Sequence, residues 1–166
     1  SGAGKDTLQG GDGDDTYVVE SSADDKVTDS SGIDEIQSSV QYNLYNASDV
    51  ENMTLTKPSN SWGAGNAKPN VITGNDGNNL LKGLTGKDTL IGAKGDDSLE
   101  GGEGADKLYG GACNDLISGG KEWTPLLSLR AMDMIQLAIS RKQIPMARAA
   151  ILSTCPSSII KIRSPL

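Results

Sequence analysis

Side chains that carry a metal-binding oxygen recur in this chain at one fixed place of a nine-residue repeat. The repeat has the ideal form Gly-Gly-x-Gly-x-Asp-x-apolar-x, and its sixth place always holds Asp or Asn. The residues at that place are Asp6, Asp15, Asn79, Asp88, Asp97, Asp106 and Asp115. A repeat of fixed period indicates a repeat architecture. The oxygens therefore belong to a periodic array and not to one converging pocket.

The other places of the repeat predict a turn followed by a very short strand. Glycines at the first, second and fourth places suit a turn whose backbone visits positive φ. The eighth place is always apolar, so it forms the inward-pointing middle of the strand. The frames are Ser1–Gln9, Gly10–Val18, Gly74–Lys82, Gly83–Ile91, Gly92–Glu100, Gly101–Tyr109 and Gly110–Ser118. Their eighth-place residues are Leu8, Tyr17, Leu81, Leu90, Leu99, Leu108 and Ile117.

Stacking is the only way in which such short units can bury their apolar side chains. Two turns and two strands make one coil, which places each residue directly above the residue eighteen positions earlier. The apolar residues then form columns, and the carboxylates form ladders along two edges. The sequence predicts an all-β fold, a parallel β-roll or β-solenoid.

The ladders require a cation. Two ionised Asp side chains about 4 Å apart repel by roughly 4 kcal/mol at an effective dielectric constant near 20, and each rung repeats this cost. Carboxylates and turn carbonyls are hard oxygen ligands, which suit Ca²⁺ better than zinc or copper. The chain has no His and only two Cys. Calcium is therefore the ion that the repeat favours.

These frames resemble the RTX (repeats-in-toxin, hemolysin-type) calcium-binding nonapeptide family, over Ser1–Val18 and Gly74–Ser118. The resemblance implies a right-handed parallel β-roll with several Ca²⁺ ions held between successive turns. It implies that the sixth-place residues named above are side-chain ligands, and that two such residues eighteen apart share an ion. Carbonyl groups of the glycine-rich turns would complete each shell, at Gly83, Gly92, Gly101 and Gly110.

Three departures from the pattern predict weaker sites. In Gly65–Thr73 the turn contains Lys68 and Pro69, so we expect a weak or empty site there. Asn79 lowers the ligand charge of its site. Cys113 stands where a fourth-place glycine is expected, which costs about 1–2 kcal/mol if that residue is left-handed.

Charge and composition indicate a module that needs its ion in order to fold. The net charge is −7, but residues 1–120 hold 8 basic and 20 acidic residues, whereas residues 121–166 hold 7 and 2. Aromatic residues make up only 4% of the chain. Without a cation, the repeats bury too little apolar area to offset chain entropy and charge repulsion. We expect the metal-free repeats to be largely disordered.

Residues 19–64 separate the first repeats (1–18) from the main array (65–120) and predict further strands of the same solenoid. The strand-like runs are Lys26–Asp29, Glu35–Leu44 and Val50–Thr56. Apolar residues occupy every second place in parts of them. Asp24, Asp25 and Asp34 lie in turn-like patches of this insert. We interpret them as solvated loop charges in preference to ligands.

The chain changes character at Lys121, because all 21 glycines precede it. Apolar spacing in the C-terminal tail (121–166) predicts one helix near Leu126–Lys142 and a shorter one near Met146–Ser153. Such helices would cap the roll or bind a partner. The tail would otherwise be an export segment, as the resemblance allows, or not the natural continuation of the repeats. Cys113 and Cys155 would bridge only if the tail folds back on the roll.

Nothing in the sequence predicts catalysis. It has no histidine base and no Gly-x-Ser-x-Gly elbow, and its acidic pairs recur at every turn. It has no dinucleotide fingerprint, no stretch that would span a membrane and no feature of a nucleic-acid binder.

The resemblance implies a secreted, extracellular module. It would fold on Ca²⁺ after passage through type I secretion machinery, and it would stabilise or display an attached domain, catalytic or otherwise. The alternative is a constitutively folded adhesin or a module that binds polysaccharide or a cell surface, with calcium as a structural filler.

Overall fold

Short strands alternate with turns throughout residues 2–21, 24–120 and 161–162, the part of the chain that the computed structural model describes. In chain order the strands are β1 (Thr7–Gln9), β2 (Thr16–Val19), β3 (Lys26–Thr28), β4 (Glu35–Ser38), β5 (Tyr42–Asn43), β6 (Asn52–Leu55), β7 (Ser61–Ala64), β8 (Val71–Thr73), β9 (Asn79–Thr85), β10 (Thr89–Lys94), β11 (Ser98–Glu103), β12 (Lys107–Ala112), β13 (Leu116–Ser118) and β14 (Lys161–Ile162). A single 3₁₀ turn, Leu44–Asn46, is the only helical element of the described residues.

The strands form parallel sheets, as the repeat predicts. Sheet I has the order β2, β4, β6, β8, β10, β12, and sheet II has the order β5, β7, β9, β11, β13, β14. A small third sheet pairs β1 with β3. From β4 to β13, successive strands belong alternately to sheet I and sheet II. The chain therefore winds as a β-solenoid of about 6 turns. The predicted all-β roll is confirmed.

The register gives the length of each coil. In the main array Thr89 pairs with Lys107 and Ser98 pairs with Leu116, an offset of eighteen residues. In the first coils the offset is nineteen, as between Thr16 and Glu35. Strands β4 to β7 of residues 19–64 lie in the same two sheets as the nonapeptide strands. The offset is seventeen between Glu35 and Asn52 and twenty-one between Tyr42 and Gly63, so the coil varies in length where the sequence departs from the repeat.

A thin apolar core runs along the axis between the two sheets. The eighth-place residues of the main array are all buried. Residues 19–64 extend the same cluster with larger side chains, including the fully buried Tyr42, Ile36 and Met53. The Tyr42 hydroxyl donates to the carbonyl oxygen of Asp25 at 2.6 Å, so its polar end is satisfied inside the core.

Positive φ occurs at the second and fourth places of the turn, but not at the first. Gly86 and Gly104 represent the fourth place, and Leu84 and Ala93 adopt positive φ at the second place without being glycine. Cys113 at the fourth place has φ +86°, so the left-handed conformation that the frame demands is present there. The expectation that first-place glycines serve positive φ is wrong, and their actual role is steric.

The C-terminal tail is described only at β14, which pairs in parallel with β13. The two predicted helices lie outside the described residues. Cys113 is disulfide-bonded, and Cys155, the other cysteine of the chain, lies outside the described residues. Among the described residues, no helix has both the length and the apolar character that a membrane crossing requires.

Two adjacent leucines test the predicted core. Leu81 is fully buried, whereas Leu80 on the opposite face of β9 is 41% exposed. Leu81→Ala should lower the free energy of unfolding in calcium by about 2–5 kcal/mol, because it leaves a cavity in a core one residue wide. Leu80→Ala is the matched control and should cost less than about 1 kcal/mol. Urea titration at saturating calcium measures the free energy of unfolding of both variants. Equal losses of stability would contradict the assignment of Leu81 to the buried face of β9 and of Leu80 to the exposed face.

Candidate calcium sites

The sixth-place residues of the main array lie in two buried rows. Edge I is the row that precedes the strands of sheet I, and it contains Asp88 and Asp106. Edge II precedes the strands of sheet II, and it contains Asn79, Asp97 and Asp115. All five side chains are at most 3% exposed. The N–H of Lys107, the residue after Asp106, donates to the carbonyl oxygen of Asp88 at 2.7 Å. This bond holds Asp106 directly above Asp88, one coil later.

One carboxylate oxygen of each rung is fixed by the backbone of the coil before it. The Asp88 N–H donates to Oδ1 of Asp106 at 3.0 Å, and the Asp97 N–H donates to Oδ1 of Asp115 at 3.0 Å. The Asn79 N–H donates to Oδ1 of Asp97 at 2.7 Å. The structure thus brings together the pairs eighteen residues apart that the resemblance assigns to shared ions.

The second carboxylate oxygen is buried without a partner. Oδ2 of Asp88, Asp97 and Asp106 accepts no hydrogen bond in the described part of the chain, and Oδ2 of Asp15 and Asp25 is in the same state. An unsatisfied buried carboxylate oxygen is costly, since an ionised group loses water without gaining a compensating contact. Five such oxygens on periodic positions indicate that something outside the protein chain satisfies them.

First-place glycines create the space around these oxygens. A Cβ added to Gly83 would collide with Oδ2 of Asp88 and with the carbonyl oxygen of Gly101, one coil later. The same holds for Gly92, against Asp97 and the carbonyl of Gly110. The carbonyls of Gly83 and Gly92 lie in the equivalent places beside Asn70 and Asn79. All four predicted carbonyl ligands therefore lie beside a sixth-place oxygen of the preceding coil.

Burial and neighbouring carboxylates raise the pKa of three of these side chains. Burial, reinforced by the charge of Asp106, raises the pKa of Asp88 to about 6. Burial and the nearby Asp115 and Asp96 raise the pKa of Asp97 to about 7, and burial with Asp96 raises the pKa of Asp115 to about 6. Each raised pKa means that the folded state, when it binds no ion, disfavours the ionised form of that carboxyl group.

The donor set fits calcium. It consists of a carboxylate oxygen and backbone carbonyl oxygens, held in a glycine-lined space that a side chain would fill. Ca²⁺ accepts six to eight such oxygens in flexible geometry. The sixth-place carboxylates and first-place carbonyls would hold the ion, and its charge would reverse the pKa shifts just described.

Comparison with known proteins agrees with this geometry. The family model of the RTX calcium-binding nonapeptide repeat matches residues 1–25, 64–99 and 91–121, which together make up half of the chain. The chain belongs to the RTX family. The repeats of this family bind calcium and have a structural role. No curated protein and no solved structure matches the chain.

Residues 20–28 and 29–37 repeat part of the nine-residue pattern, which the sequence analysis missed. Residues 29–37 carry Gly32, Asp34 and Ile36 at the fourth, sixth and eighth places, and residues 20–28 carry Asp25 and Val27 at the sixth and eighth. The sequence contains the apolar and acidic places of both units, but Val19 lies between residues 10–18 and 20–28 and shifts the nine-residue frame by one residue. Gly32 has φ +139° and lies over the Gly13 carbonyl, as fourth-place glycines do in the main array.

Asp25 and Asp34 are therefore ladder residues, and their interpretation as solvated loop charges is wrong. They are at most 1% exposed. Oδ1 of Asp25 accepts from the Asp6 N–H at 2.9 Å, and Oδ1 of Asp34 accepts from the Asp15 N–H at 2.8 Å. Asp24 is exposed. The ligands predicted at Asp6 and Asp15 thus have their counterparts inside residues 19–64.

A lysine and an amide bind turn carbonyls in the middle of edge I. Lys68 Nζ lies 2.6 Å from Glu51 Oε1 and 2.8 Å from the carbonyl oxygen of Asp49. The Asn66 amide donates to the carbonyl of Val50 at 2.8 Å and to that of Ala47 at 3.3 Å. These carbonyls belong to the turn one coil earlier. The arrangement gives a physical reason for the weak or empty site predicted at Gly65–Thr73, which stays a prediction.

Edge II has a similar amide pair one turn later. The Asn79 amide donates to Oδ1 of Asn75 at 3.0 Å, and the Asn75 amide donates to the carbonyl oxygen of Lys57 at 2.6 Å. Oδ1 of Asn79 accepts from the Asn75 N–H at 2.6 Å. The side chain of Asn79 is thus already hydrogen-bonded, which agrees with the prediction that Asn79 weakens its site.

The raised pKa values predict how the metal-free roll responds to pH. The unfolded chain loses these protons near the ordinary pKa of 3.8 and the folded chain only near 6–7. The metal-free fold therefore loses stability as pH rises through this window. In chelator, the β signal in circular dichroism should be larger at pH 5 than at pH 7.5. Asp97→Asn should reduce the difference, since it removes the charge and keeps the shape.

Sedimentation velocity provides the control for this experiment, because the isoelectric point is about 4.5 and association near it would distort the signal. An equally folded chelated chain at both pH values, monomeric throughout, would contradict the claim that buried charge destabilises the metal-free roll.

The hydrogen bonds of the Asn66 amide predict that substitution of Asn66 lowers the stability of the fold even when calcium is saturating. Asn66→Ala removes the donor to buried carbonyls and should cost about 1–3 kcal/mol. Asn78→Ala is the control, because Asn78 is exposed and its Oδ1 accepts one bond from the Asp96 N–H. Urea titration in excess calcium measures the difference, and a neutral Asn66→Ala variant would contradict the structural role given to this amide.

Proposed function

We propose that this chain is a calcium-dependent folding module of a secreted protein. It stays unfolded where free calcium is scarce, passes through a type I secretion channel as an extended chain, and folds when it meets extracellular calcium. Once folded, it stabilises or displays the domain to which it is attached. The observation that supports the proposal most directly is the row of buried carboxylate oxygens that have no hydrogen-bond partner within the described part of the chain, at positions matched by the RTX family.

The energetics favour a switch over a permanent fold. An ion that binds only the folded state adds about 2.7 kcal/mol per site at a hundredfold excess over its Kd. Extracellular calcium modules have Kd values on the order of 10⁻⁴–10⁻³ M, so cytosolic calcium would leave them empty. Several sites that share carboxylates fill together, which makes the transition cooperative.

The ladder also explains why the repeats carry so much negative charge. A long, acidic and glycine-rich chain resists collapse while metal-free, because low hydrophobicity and charge repulsion both oppose folding. That property suits passage through a narrow channel. The same charges become cross-links between coils once Ca²⁺ is bound.

Circular dichroism in chelator and in millimolar calcium tests the proposal. The full chain should change cooperatively from coil to β structure at pH 7.5 as calcium is added. Asp97→Ala should raise the midpoint calcium concentration severalfold and lower the cooperativity, because Asp97 lies between two rungs. Asp76→Ala is the control, since its carboxylate is 56% exposed and pairs with Lys94 at the surface.

A chain that is fully folded in chelator, with an unchanged spectrum in calcium, would contradict the proposal that calcium binding drives folding. It would favour the alternative, a constitutively folded adhesin or polysaccharide-binding module. Equal effects of the Asp97 and Asp76 substitutions would contradict the assignment of sixth-place residues as ligands.

A further inference from the structure

The central coils of the roll, residues 35–79, have fewer glycines and a larger apolar core than the coils that follow them. They contain 4 glycines, against 11 in residues 80–120. They bury nine apolar side chains, including Tyr42, Ile36 and Met53, against five in residues 80–120. Glycine loses more conformational freedom on folding than any other residue, and apolar burial favours folding. The central coils therefore lose less backbone entropy and gain more from burial when they fold.

Edge I has a single acid in the central coils, Glu51. Glu51 precedes β6 and Asn70 precedes β8, so both lie on edge I between Asp34 and Asp88. Oε2 of Glu51 accepts from the Asp34 N–H at 3.0 Å, in the way that the sixth-place carboxylates of the array accept from the coil before them. Because Asn70 is neutral, this stretch of edge I carries one carboxylate over two rungs.

A lysine of the chain supplies positive charge to this carboxylate. Lys68 Nζ lies 2.6 Å from Oε1 of Glu51 and 2.8 Å from the carbonyl oxygen of Asp49. The ammonium thus contacts one ladder carboxylate and one turn carbonyl, the two kinds of oxygen that a rung of the main array presents. The other salt bridges found among the described residues engage Glu100 and Asp76, neither of which is a sixth-place residue.

Buried amides bind the turn carbonyls of the central coils. The Asn70 amide donates to the carbonyl oxygen of Glu51 at 3.1 Å, and the Asn75 amide donates to that of Lys57 at 2.6 Å. Asn66 binds carbonyls of the turn one coil earlier, as described above. These three asparagines are at most 8% exposed. Side chains of the protein therefore satisfy turns on both edges of the central coils.

The buried carboxylate oxygens that lack a hydrogen-bond partner all belong to other coils. They are Oδ2 of Asp15, Asp25, Asp88, Asp97 and Asp106. None of them lies in residues 35–79, all of which the structure describes. A buried carboxylate without a compensating contact opposes folding. This opposition is therefore smallest in the central coils, independently of their larger core.

We propose that the central coils are a folding nucleus built into the roll, in which Lys68 and the buried amides take the role that Ca²⁺ has in the main array. Each coil of a solenoid contacts only its neighbours, so folding can begin at one coil and extend from it. The nucleus orders at a lower calcium concentration than the array, and the array adds coils to it as its sites fill. The inference rests on the proposed function for the calcium dependence of the array.

The size of the nucleus keeps it compatible with a chain that is extended where calcium is scarce. A unit of about 45 residues buries too small a fraction of its surface to be more than marginally stable by itself. In chelator the nucleus is thus only partly ordered. Ions bound in the adjoining coils stabilise it, because those coils pack against its two ends.

Hydrogen–deuterium exchange of the full-length chain at stepped concentrations of free calcium tests the order of folding. At pH 7.5 the amides of β6 and β8 should become protected at a severalfold lower calcium concentration than the amides of β11 and β13. Tryptophan fluorescence gives a second readout in a Trp123→Phe background. Trp62 lies in β7, and its Nε1 donates to Oε1 of Gln41 at 2.5 Å, so its emission should change before the β signal in circular dichroism.

Substitutions of Lys68 test the role of the ammonium. Lys68→Met removes the charge and keeps the apolar stem, so it should raise the calcium concentration that protects β6 and β8 severalfold. Lys68→Arg keeps a cation and should retain most of the order of folding. Lys94→Met is the matched control, because Lys94 pairs with Asp76 at the same 2.6 Å but at the surface, and it should leave β6 and β8 unchanged.

The outcomes separate this inference from the proposed function. If all strands of the wild-type chain become protected at one calcium concentration, or the array does so first, the nucleus is overturned and calcium-driven folding stands. Protection of every strand in chelator would contradict both. A Lys68→Met chain that orders β6 and β8 as wild type does would overturn the role given to the ammonium. If that chain folds at no calcium concentration, the exchange and Trp62 emission of the chain with Lys68 intact decide.

Discussion

Buried carboxylates of this roll are held by one oxygen against the backbone of the coil before, and their other oxygen has no hydrogen-bond partner among the described residues. Asp88, Asp97 and Asp106 repeat this arrangement along two edges. Like charges at such spacing, removed from water, oppose the fold. A divalent cation converts the opposition into a cross-link. Room for that cation accounts for the first-place glycines, and under the proposed function the same cation makes folding depend on calcium.

The glycines make this arrangement possible in two different ways. Those at the fourth place adopt a left-handed backbone, and those at the first place leave room for a carboxylate and a carbonyl to meet, as Gly83 does for Asp88 and Gly101. The core between the edges is only one side chain wide per strand, so it stabilises the stack without being able to offset uncompensated charge. In Gly65–Thr73, the Lys68 ammonium and the Asn66 amide instead bind carbonyls of the turn one coil earlier.

Much of this could be predicted from the sequence, because the period of nine fixes both the coil and the rows. The buried column through Leu81, Leu99 and Ile117 and the pairing of Asp97 with Asp115 follow directly from it. The repeats at residues 20–28 and 29–37 were missed, since one inserted residue breaks the period while the solenoid absorbs it as a nineteen-residue coil. The contact of Tyr17 with Asp29 could not be predicted, because it joins a core column to a turn of the next coil and depends on side-chain direction.

Anomalous diffraction from crystals grown in calcium, collected at a wavelength where Ca²⁺ scatters strongly, tests the central claim most directly. The account predicts peaks between successive coils along both edges, beside Oδ2 of Asp88, Asp97 and Asp106, and none beside the Lys68 ammonium. An ordered roll with those carboxylates buried and no anomalous peak near them, at saturating calcium and neutral pH, would contradict it.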